Sequence, residues 1–316
     1  MKIGKCVWMF GVFFPALVVA QDDPEKPVWQ MSLEEVREIT DPSGTGRDLS
    51  PPVWPGDARA AFLFSLDVDN EPARLVSGER DRAALSVREF GVRRGIGRIV
   101  KILDEHEVPA TFFTPVLSLL LAPEMIDIIS RSGLHEYAAH GWAHEHAANL
   151  PPDEQRQMLK NSVDRIEQLT GQRPVGFRAP GSSMTDITLP TMKELGFIYD
   201  SSFMADDQPY ELIVNGSPSG LVELPPAFNL SDVALSIGPS GLYTPREVLQ
   251  QAKDAFDVIY KEGGMMIFVV HPHVSGRASR IVLVEELIRH MKQYDDVWFA
   301  THRQAAEYLI ETSLGQ

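Results

Sequence analysis

Short apolar segments alternate with longer amphipathic segments along most of this chain. The apolar segments lie near residues 60–67, 110–114, 136–139, 175–179, 197–200, 221–225, 265–270 and 297–300. Between most of them the apolar positions recur with a helical period, as in Val92–Glu107, Pro152–Thr170, Pro245–Lys261 and Ile281–Tyr294. Because strands that alternate with helices are joined by helical crossovers, the pattern predicts an α/β fold with parallel strands.

The amino-terminal part of the chain lacks this alternation. A basic start, an apolar run from Cys6 to Ala20 and an acidic Gln21-Asp-Asp23 predict a secretory signal peptide over residues 1–20. Its apolar part is shorter than the ~20 residues that cross a bilayer, so we expect no stable membrane anchor after cleavage. Residues 21–57 are rich in Pro, Asp, Ser and Gly, which predicts a linker and a strap that leads into one domain over residues 58–316.

Charge and cysteine usage narrow the partners and the metal chemistry. Loss of Lys2 and Lys5 with the signal peptide would change the formal net charge from -15 to -17, and such a surface repels nucleic acid and anionic lipid. Cys6 is the single cysteine, so the exported chain would have neither a disulfide nor a cysteine ligand. We therefore expect a periplasmic or secreted protein whose metal ligands, if any, are His and carboxylate. The sequence does not specify an oligomeric state.

Polar residues follow several of the predicted strands directly. Functional side chains cluster at the carboxyl ends of parallel strands, so a common rim is the simplest explanation. The residues at these positions are Asp67, Asp69, His140, Arg178, Asp200 and His271.

The histidine pair and the aspartate pair have the spacing of a metal site. His140 and His144 would lie on one side of a helical turn, and Asp67 and Asp69 would leave one face of a strand. A catalytic zinc takes three protein ligands and keeps one position for water, so one Asp can bind the metal while the other acts as a base. Taken alone, the aspartate pair also fits a strand-end turn or a helix cap, and the histidine pair also fits surface or core histidines without a ligand role.

Five motifs occur in a fixed order along residues 58–312. They are Ser65-Leu-Asp-Val-Asp-Asn-Glu71, His140-Gly-Trp-Ala-His144, Arg178-Ala-Pro180, Asp200-Ser-Ser-Phe203 and Phe268-Val-Val-His271. In this order they resemble the polysaccharide deacetylases of the NodB-homology, carbohydrate esterase 4 type. The Asp-Val-Asp-Asn-Glu variant is similar to the branch with peptidoglycan deacetylase-like proteins and allantoinases.

The resemblance implies a distorted (β/α) barrel of about seven parallel strands, with residues 58–316 as the catalytic domain and a divalent metal, commonly zinc. It implies that Asp69, His140 and His144 bind the metal. Asp67 would be the general base and would pair with Arg178, and His271 would be the general acid. A backbone N–H near Gly181 would hold the oxyanion.

Three functions remain open from the sequence. The first is a metal-dependent hydrolase that removes N-acetyl groups from a polysaccharide such as peptidoglycan or a chitin-like glycan, which the signal peptide favours. The second is an amidohydrolase for a small cyclic or linear amide, which the Asp-Val-Asp-Asn-Glu variant favours. The third is a non-catalytic protein that binds glycan or metal. It is disfavoured because the base, ligands, arginine and acid are all present.

Other polar residues near these motifs have a structural and a functional interpretation. His146 and His273 fit hydrogen-bonded rim residues better than metal ligands. Glu71 fits either a partner of the ligands or a solvated charge, and Trp142 fits either core packing or stacking on a sugar. The remaining residues with a structural alternative are Arg277, Arg280 and Asp200.

Overall fold

The computed structural model describes residues 26–40, 44–233 and 243–315, so the predicted signal peptide over residues 1–20 lies outside them. Residues 1–41 and 42–316 group as two units. In the first unit, Leu33–Thr40 forms helix α1, and Ser32 caps its first turn by accepting a hydrogen bond from the main-chain N of Glu35 at 3.2 Å. Among the described residues, no helix is both long and apolar enough to cross a membrane.

The described residues of the second unit form a ten-stranded sheet. Its strands are β1 (Thr45–Asp48), β2 (Ala60–Asp67), β3 (Ala110–Thr114), β4 (Glu136–Ala139), β5 (Gly176–Phe177), β6 (Tyr199–Asp200), β7 (Tyr210–Val214), β8 (Ser217–Glu223), β9 (Met265–Val270) and β10 (Val297–Ala300). Its described helices are α2 (Pro72–Val76), α3 (Arg82–Phe90), α4 (Ile96–Glu105), α5 (Val116–Leu121), α6 (Glu124–Ser130), α7 (Pro152–Thr170), α8 (Thr188–Leu195), α9 (Pro245–Glu262), α10 (Pro272–Ser275), α11 (Val282–Met291) and α12 (His302–Leu309).

Most of the sheet is parallel. Strands follow the order β1, β7, β8, β6, β5, β4, β3, β2, and β9 pairs with the opposite edge of β2. β10 pairs with the first half of β2, and β3 pairs with its second half. Only β7 and β1 are attached by antiparallel pairing in the described part of the chain. The predicted distorted barrel of parallel strands with surrounding helices is confirmed.

Alternate residues of β2 face two different cores. Phe62, Phe64 and Leu66 pack against the surrounding helices, whereas Ala61 and Leu63 face the inside of the curled sheet. Burial of each of these Phe or Leu side chains stabilises the folded state by about 1.5–3 kcal/mol. Asp67, the last residue of β2, lies on the same face of the strand as Ala61 and Leu63. Its carboxylate therefore points to the inside of the curled sheet.

The long helix α7 shows how local sequence sets the crossovers. Pro152 occupies its first turn, where a missing N–H costs nothing, and Asp153 and Glu154 complement the positive end of the helix dipole. Gly171 ends the helix in the left-handed conformation with φ 73°. The predicted bounds, Pro152–Thr170, are the observed ones.

The antiparallel hairpin of β7 and β8 is absent from the sequence prediction, which had one strand near residues 221–225. Its turn is Asn215-Gly216, with φ 52° and 72°. Two consecutive left-handed residues favour a tight hairpin, and Asn-Gly after an apolar pair is its usual signal. β1, within the segment predicted as a strap, pairs with β7 at the sheet edge.

Candidate active site

The ends of the central strands place the predicted residues on one rim. Asp67 is the last residue of β2, and His140, Arg178 and His271 directly follow β4, β5 and β9. Parallel pairing in register runs from β9 through β2, β3 and β4 to β5. Their carboxyl ends therefore lie at the same edge of the sheet, as expected.

The buried side chain of Arg178 forms the floor of the site. Its Nη1 donates to Asp67 Oδ1 at 2.6 Å and to Ser65 Oγ at 3.1 Å. Its Nε and Nη2 donate to the main-chain O and the Oγ of Ser201 at 3.0 and 2.9 Å. The guanidinium carbon also lies 3.9 Å from the ring centroid of Phe113. These contacts fix one oxygen of Asp67, and Oδ2 is the oxygen that remains for the cavity.

The two histidines of the second motif converge from an irregular loop, so the expected helical turn is wrong. Gly141 and His144 have positive φ angles of 74° and 69°. Glu145 Oε2 accepts hydrogen bonds from the main-chain N of the two residues before His144, at 3.0 and 2.8 Å. The loop brings the rings of His140 and His144 to a centroid distance of 5.0 Å. Left-handed residues, rather than helical periodicity, produce the convergence.

Asp69 completes a group of three possible ligands. Its Oδ1 lies 3.5 Å from His140 Nε2 and 3.7 Å from His144 Nε2. Ligand atoms at about 2.1 Å from a tetrahedral metal lie about 3.4 Å apart, so these separations fit such an ion. Asp69 Oδ1 is buried and has no hydrogen-bond partner among the described residues. The group is the only such cluster found among the described residues.

The hydrogen bond of His140 and the pKa values of His144 and Asp69 also fit a metal. His140 Nδ1 donates to the main-chain O of Arg178 at 2.6 Å, which leaves the lone pair on Nε2. Burial lowers the pKa of His144 to about 4, so its imidazole is neutral at pH 7. Burial would raise the pKa of Asp69, but the surrounding imidazoles outweigh it and hold this pKa well below its usual value. Asp binds a divalent cation as a carboxylate, and His binds it as a neutral imidazole.

His271 is held by a carboxylate that the sequence prediction did not include. Its Nδ1 lies 2.7 Å from Asp232 Oδ1, and Asp232 Oδ2 accepts from the main-chain N of His271 at 2.9 Å and from Ser275 Oγ at 2.6 Å. Burial would lower the pKa of His271, but Asp232, together with Asp69 and Asp67, outweighs it and raises the pKa to about 9. His271 Nε2 then carries a proton 3.9 Å from Asp67 Oδ2 and 3.7 Å from Asp69 Oδ2.

One cavity of about 840 Å³ is lined by the predicted base, arginine, acid and metal ligands, which are Asp67, Arg178, His271, Asp69, His140 and His144. The structure therefore brings together the expected base, arginine, acid and metal ligands. Gly181, the residue expected near the oxyanion, also lines this cavity and has φ 59°. A Cβ at Gly181 would lie 2.6 Å from His146 Cε1, so a glycine is required where the imidazole approaches the main chain.

Comparisons with known proteins agree with this geometry. The family model described as Polysaccharide deacetylase matches residues 89–199. Peptidoglycan deacetylase of Helicobacter pylori is 28% identical over 280 residues, which cover 78% of this chain and 95% of the relative. A structure from Mycobacterium smegmatis described as a polysaccharide deacetylase is 33% identical, with a TM-score of 0.78, and the match covers 85% of this chain and 95% of that one. This chain belongs to the polysaccharide deacetylase family.

Membership makes the protein a hydrolase of carbon–nitrogen bonds other than peptide bonds. A solved allantoinase is also similar to this family member. The two are 26% identical with a TM-score of 0.74, and the match covers 84% of this chain and 98% of that one. The similarity agrees with the branch that the Asp-Val-Asp-Asn-Glu variant indicated.

Several polar residues of this family member have structural roles. Asp200 accepts hydrogen bonds from the main-chain N and the Oγ of Ser202 at 2.9 and 3.0 Å, which caps the turn after β6. Arg277 donates to the main-chain O of His273 and of Val87 at 3.1 and 3.0 Å. Trp142 packs against the helix-side core. None of these three is among the residues that line the cavity.

Two residues that contact the site were missed. Asp232 lies in a stretch with no strand or helix signal, and its pairing with His271 spans 39 residues, so local sequence carries no sign of it. Arg88 lies on α3, and its Nη1 reaches Asp69 Oδ2 at 3.4 Å. Its position on one face of an amphipathic helix gives no sign that this face borders the site.

Proposed function

We propose that this protein is exported and removes N-acetyl groups from an N-acetylated polysaccharide such as peptidoglycan or a chitin-like glycan. Asp69, His140 and His144 would hold a divalent metal, with zinc as the first candidate. Family membership supports the reaction class, and the name of the Helicobacter pylori relative supports the substrate class. The basic, apolar and acidic order of residues 1–23 supports export.

The observation that carries the proposal is that a proton acceptor and a proton donor lie beside one possible metal site. Asp67 is a carboxylate with one oxygen toward the cavity, and His271 is a protonated imidazole whose Nε2 lies 3.9 Å from that oxygen. A base and an acid on one side of a metal site are the requirement for hydrolysis of an amide by water. A protein that only binds glycan does not require both.

The residues divide the reaction between them. A divalent ion supplies Lewis acidity at such a site. Asp67 Oδ2 takes a proton from the attacking water while Arg178 holds Oδ1. The new C–O bond forms at the acetyl carbon, and the C–N bond then breaks. His271 Nε2 gives its proton to the departing amine, so amide and water become acetate and free amine. Asp232 keeps the imidazole oriented and protonated for that step.

Acetate release with and without metal tests the proposal. Purified protein is assayed on N-acetylglucosamine oligomers and on peptidoglycan, after chelation and after zinc is restored, and bound metal is measured in each sample. We expect release that stops with the chelator and returns with zinc. Release that persists in metal-free protein would contradict the metal role, and metal-loaded protein that is inactive on every glycan would contradict the substrate class.

A small amide is the second candidate, because a solved allantoinase has a similar structure. The same assay with allantoin and with cyclic imides distinguishes the two. Turnover of these compounds without acetate release from glycans would favour the second candidate. Export is tested separately by the amino-terminal sequence of the protein recovered outside the cytoplasm, which we expect to begin at Gln21.

A further inference from the structure

Two arginines form a wall of the cavity that the proposed chemistry does not use. Arg88 on α3 and Arg74 on α2 both line the cavity, beside Ala73, Val76 and Ser77. The side chain of Arg88 is 16% exposed, whereas Arg74 is exposed. One cation is therefore held at the depth of the site and the other lies nearer to solvent.

Neither guanidinium is neutralised well by the described residues. Arg88 makes one ion pair, with Asp69 at 3.4 Å, which is long for a charge-assisted hydrogen bond. Arg74 has no hydrogen bond or ion pair from its side chain among the described residues. Asp69 is in turn shared with the histidines, so a cation bound there would compete for the single partner of Arg88.

The other charges of the cavity are matched. Asp67 pairs with Arg178 at 2.6 Å, and His271 pairs with Asp232 at 2.7 Å. The arginine wall is thus the unbalanced part of the site, in a chain with 44 acidic and 29 basic residues. Because acidic partners are abundant in this chain, the lack of one at Arg74 is a property of this position.

The two arginines also repel each other. Both guanidinium groups are positively charged and line the same cavity, and Asp69 is the carboxylate that Arg88 contacts. Two like charges that face one cavity destabilise the empty site, and an anion between them relieves the repulsion. A guanidinium binds a carboxylate in a bidentate way, and neutral sugar hydroxyls gain less from it.

We infer that Arg74 and Arg88 form a carboxylate-binding subsite, so that the preferred substrate is an N-acylated glycan that carries a carboxylate close to the scissile amide. The inference rests on the proposed deacetylase function and narrows its substrate class. It favours an acidic glycan over a neutral chitin-type chain. Ala73 and Val76 on the same wall provide apolar contact for the carbon atoms next to the carboxylate.

A pair of tetrasaccharides of equal length tests this inference. One is the neutral N-acetylglucosamine tetramer, and the other alternates N-acetylglucosamine with N-acetylmuramic acid, which carries a carboxylate. We expect the wild-type protein to have a higher kcat/KM on the acidic substrate. In Arg74→Gln the ratio of acidic to neutral kcat/KM should fall about tenfold, mainly through KM, as for the loss of one charge-assisted contact.

Arg82→Gln is the matched control. Arg82 lies on the same helix as Arg88, is exposed and does not line the cavity, so this variant has the same change in net charge. We expect it to keep the wild-type ratio. Arg88→Lys keeps the positive charge but loses the two parallel N–H donors of the guanidinium. Its ratio of acidic to neutral kcat/KM should therefore also fall. Its metal content is measured as well, because Arg88 contacts Asp69.

Failure of the inference and failure of the proposed function give different results. Acetate release from both substrates with equal kcat/KM, or an unchanged ratio in Arg74→Gln, would overturn the subsite and leave the deacetylase function intact. If neither substrate releases acetate, the proposed function fails, and calorimetric binding of the two tetrasaccharides tests the arginines alone. Weaker binding of only the acidic one by Arg74→Gln would support the subsite, and equal binding would overturn it.

Discussion

The pairing of Asp232 with His271 leads to a prediction with a defined size. Their atoms lie 2.7 Å apart in a buried position, and the pKa of His271 is raised from 6.5 to about 9. Asp232→Asn keeps the shape and removes the charge that offsets burial. In metal-free protein we therefore expect the pKa of His271 to fall clearly below about 9, because only Asp69 and Asp67 then oppose burial. A histidine titration followed by NMR measures this shift.

The same shift predicts a pH dependence of stability. The rise of the pKa from 6.5 in the unfolded chain to about 9 in the folded protein corresponds to about 3 kcal/mol of stabilisation. Because the pKa is raised, this contribution is complete below about pH 6.5 and is lost as the pH rises through about 9. The difference in unfolding free energy between metal-free wild type and Asp232→Asn should therefore shrink over this range in denaturant titrations.

The control for both measurements is Asp257→Asn. Asp257 pairs with His290 at 2.8 Å outside the cavity, so this variant removes another Asp–His contact without touching the site. It should leave the titration of His271 unchanged. If His271 in Asp232→Asn still titrated near pH 9, the proton would be held by Asp67 and Asp69 instead, and the assigned role of Asp232 would be refuted.

Four further substitutions have expected outcomes. Asp67→Asn should keep bound metal and lose about 10²–10⁴-fold in kcat for acetate release, and full activity would reassign the base. His140→Ala should lose metal in elemental analysis, and one equivalent of retained metal would contradict the ligand set. Gly181→Ala should lower activity because its Cβ would lie 2.6 Å from His146 Cε1, and adding His146→Ala should restore part of it if the contact is steric. His271→Ala should slow substrates with poor amine leaving groups most, and equal losses across a leaving-group series would argue against an acid.

The sequence predicted the central strands well because they are buried on both sides. β9 is a continuous apolar run, β2 and β3 are mainly apolar, and the observed bounds of all three match those expected from hydrophobicity. The polar residues that follow them could be placed on one rim, because parallel strands end at a common edge. This geometry predicted parallel strands and a common rim, whereas the barrel and the roles of the six site residues were implied by the resemblance to the polysaccharide deacetylases.

Other features depend on contacts that local sequence does not encode. Asp232 reaches His271 across 39 positions of the chain, and Arg88 reaches Asp69 from a helix face that looks like any solvated face. The loop from His140 to His144 has the same spacing as a helical turn, so spacing could not distinguish the two. The hairpin turn at Asn215-Gly216, in contrast, is encoded locally, because an Asn-Gly pair between apolar segments predicts a hairpin and therefore β7.

Arg178 joins two parts of the site through different atoms of one residue. Its side chain holds Asp67, and its main-chain oxygen holds the ring of His140. If His140 shifted to bind an ion of another radius, its hydrogen bond to Arg178 would therefore also shift the guanidinium that holds Asp67. Laboratory evolution toward a new metal preference should accordingly select compensating changes at Ser65 and Ser201, which accept the other hydrogen bonds of the Arg178 side chain.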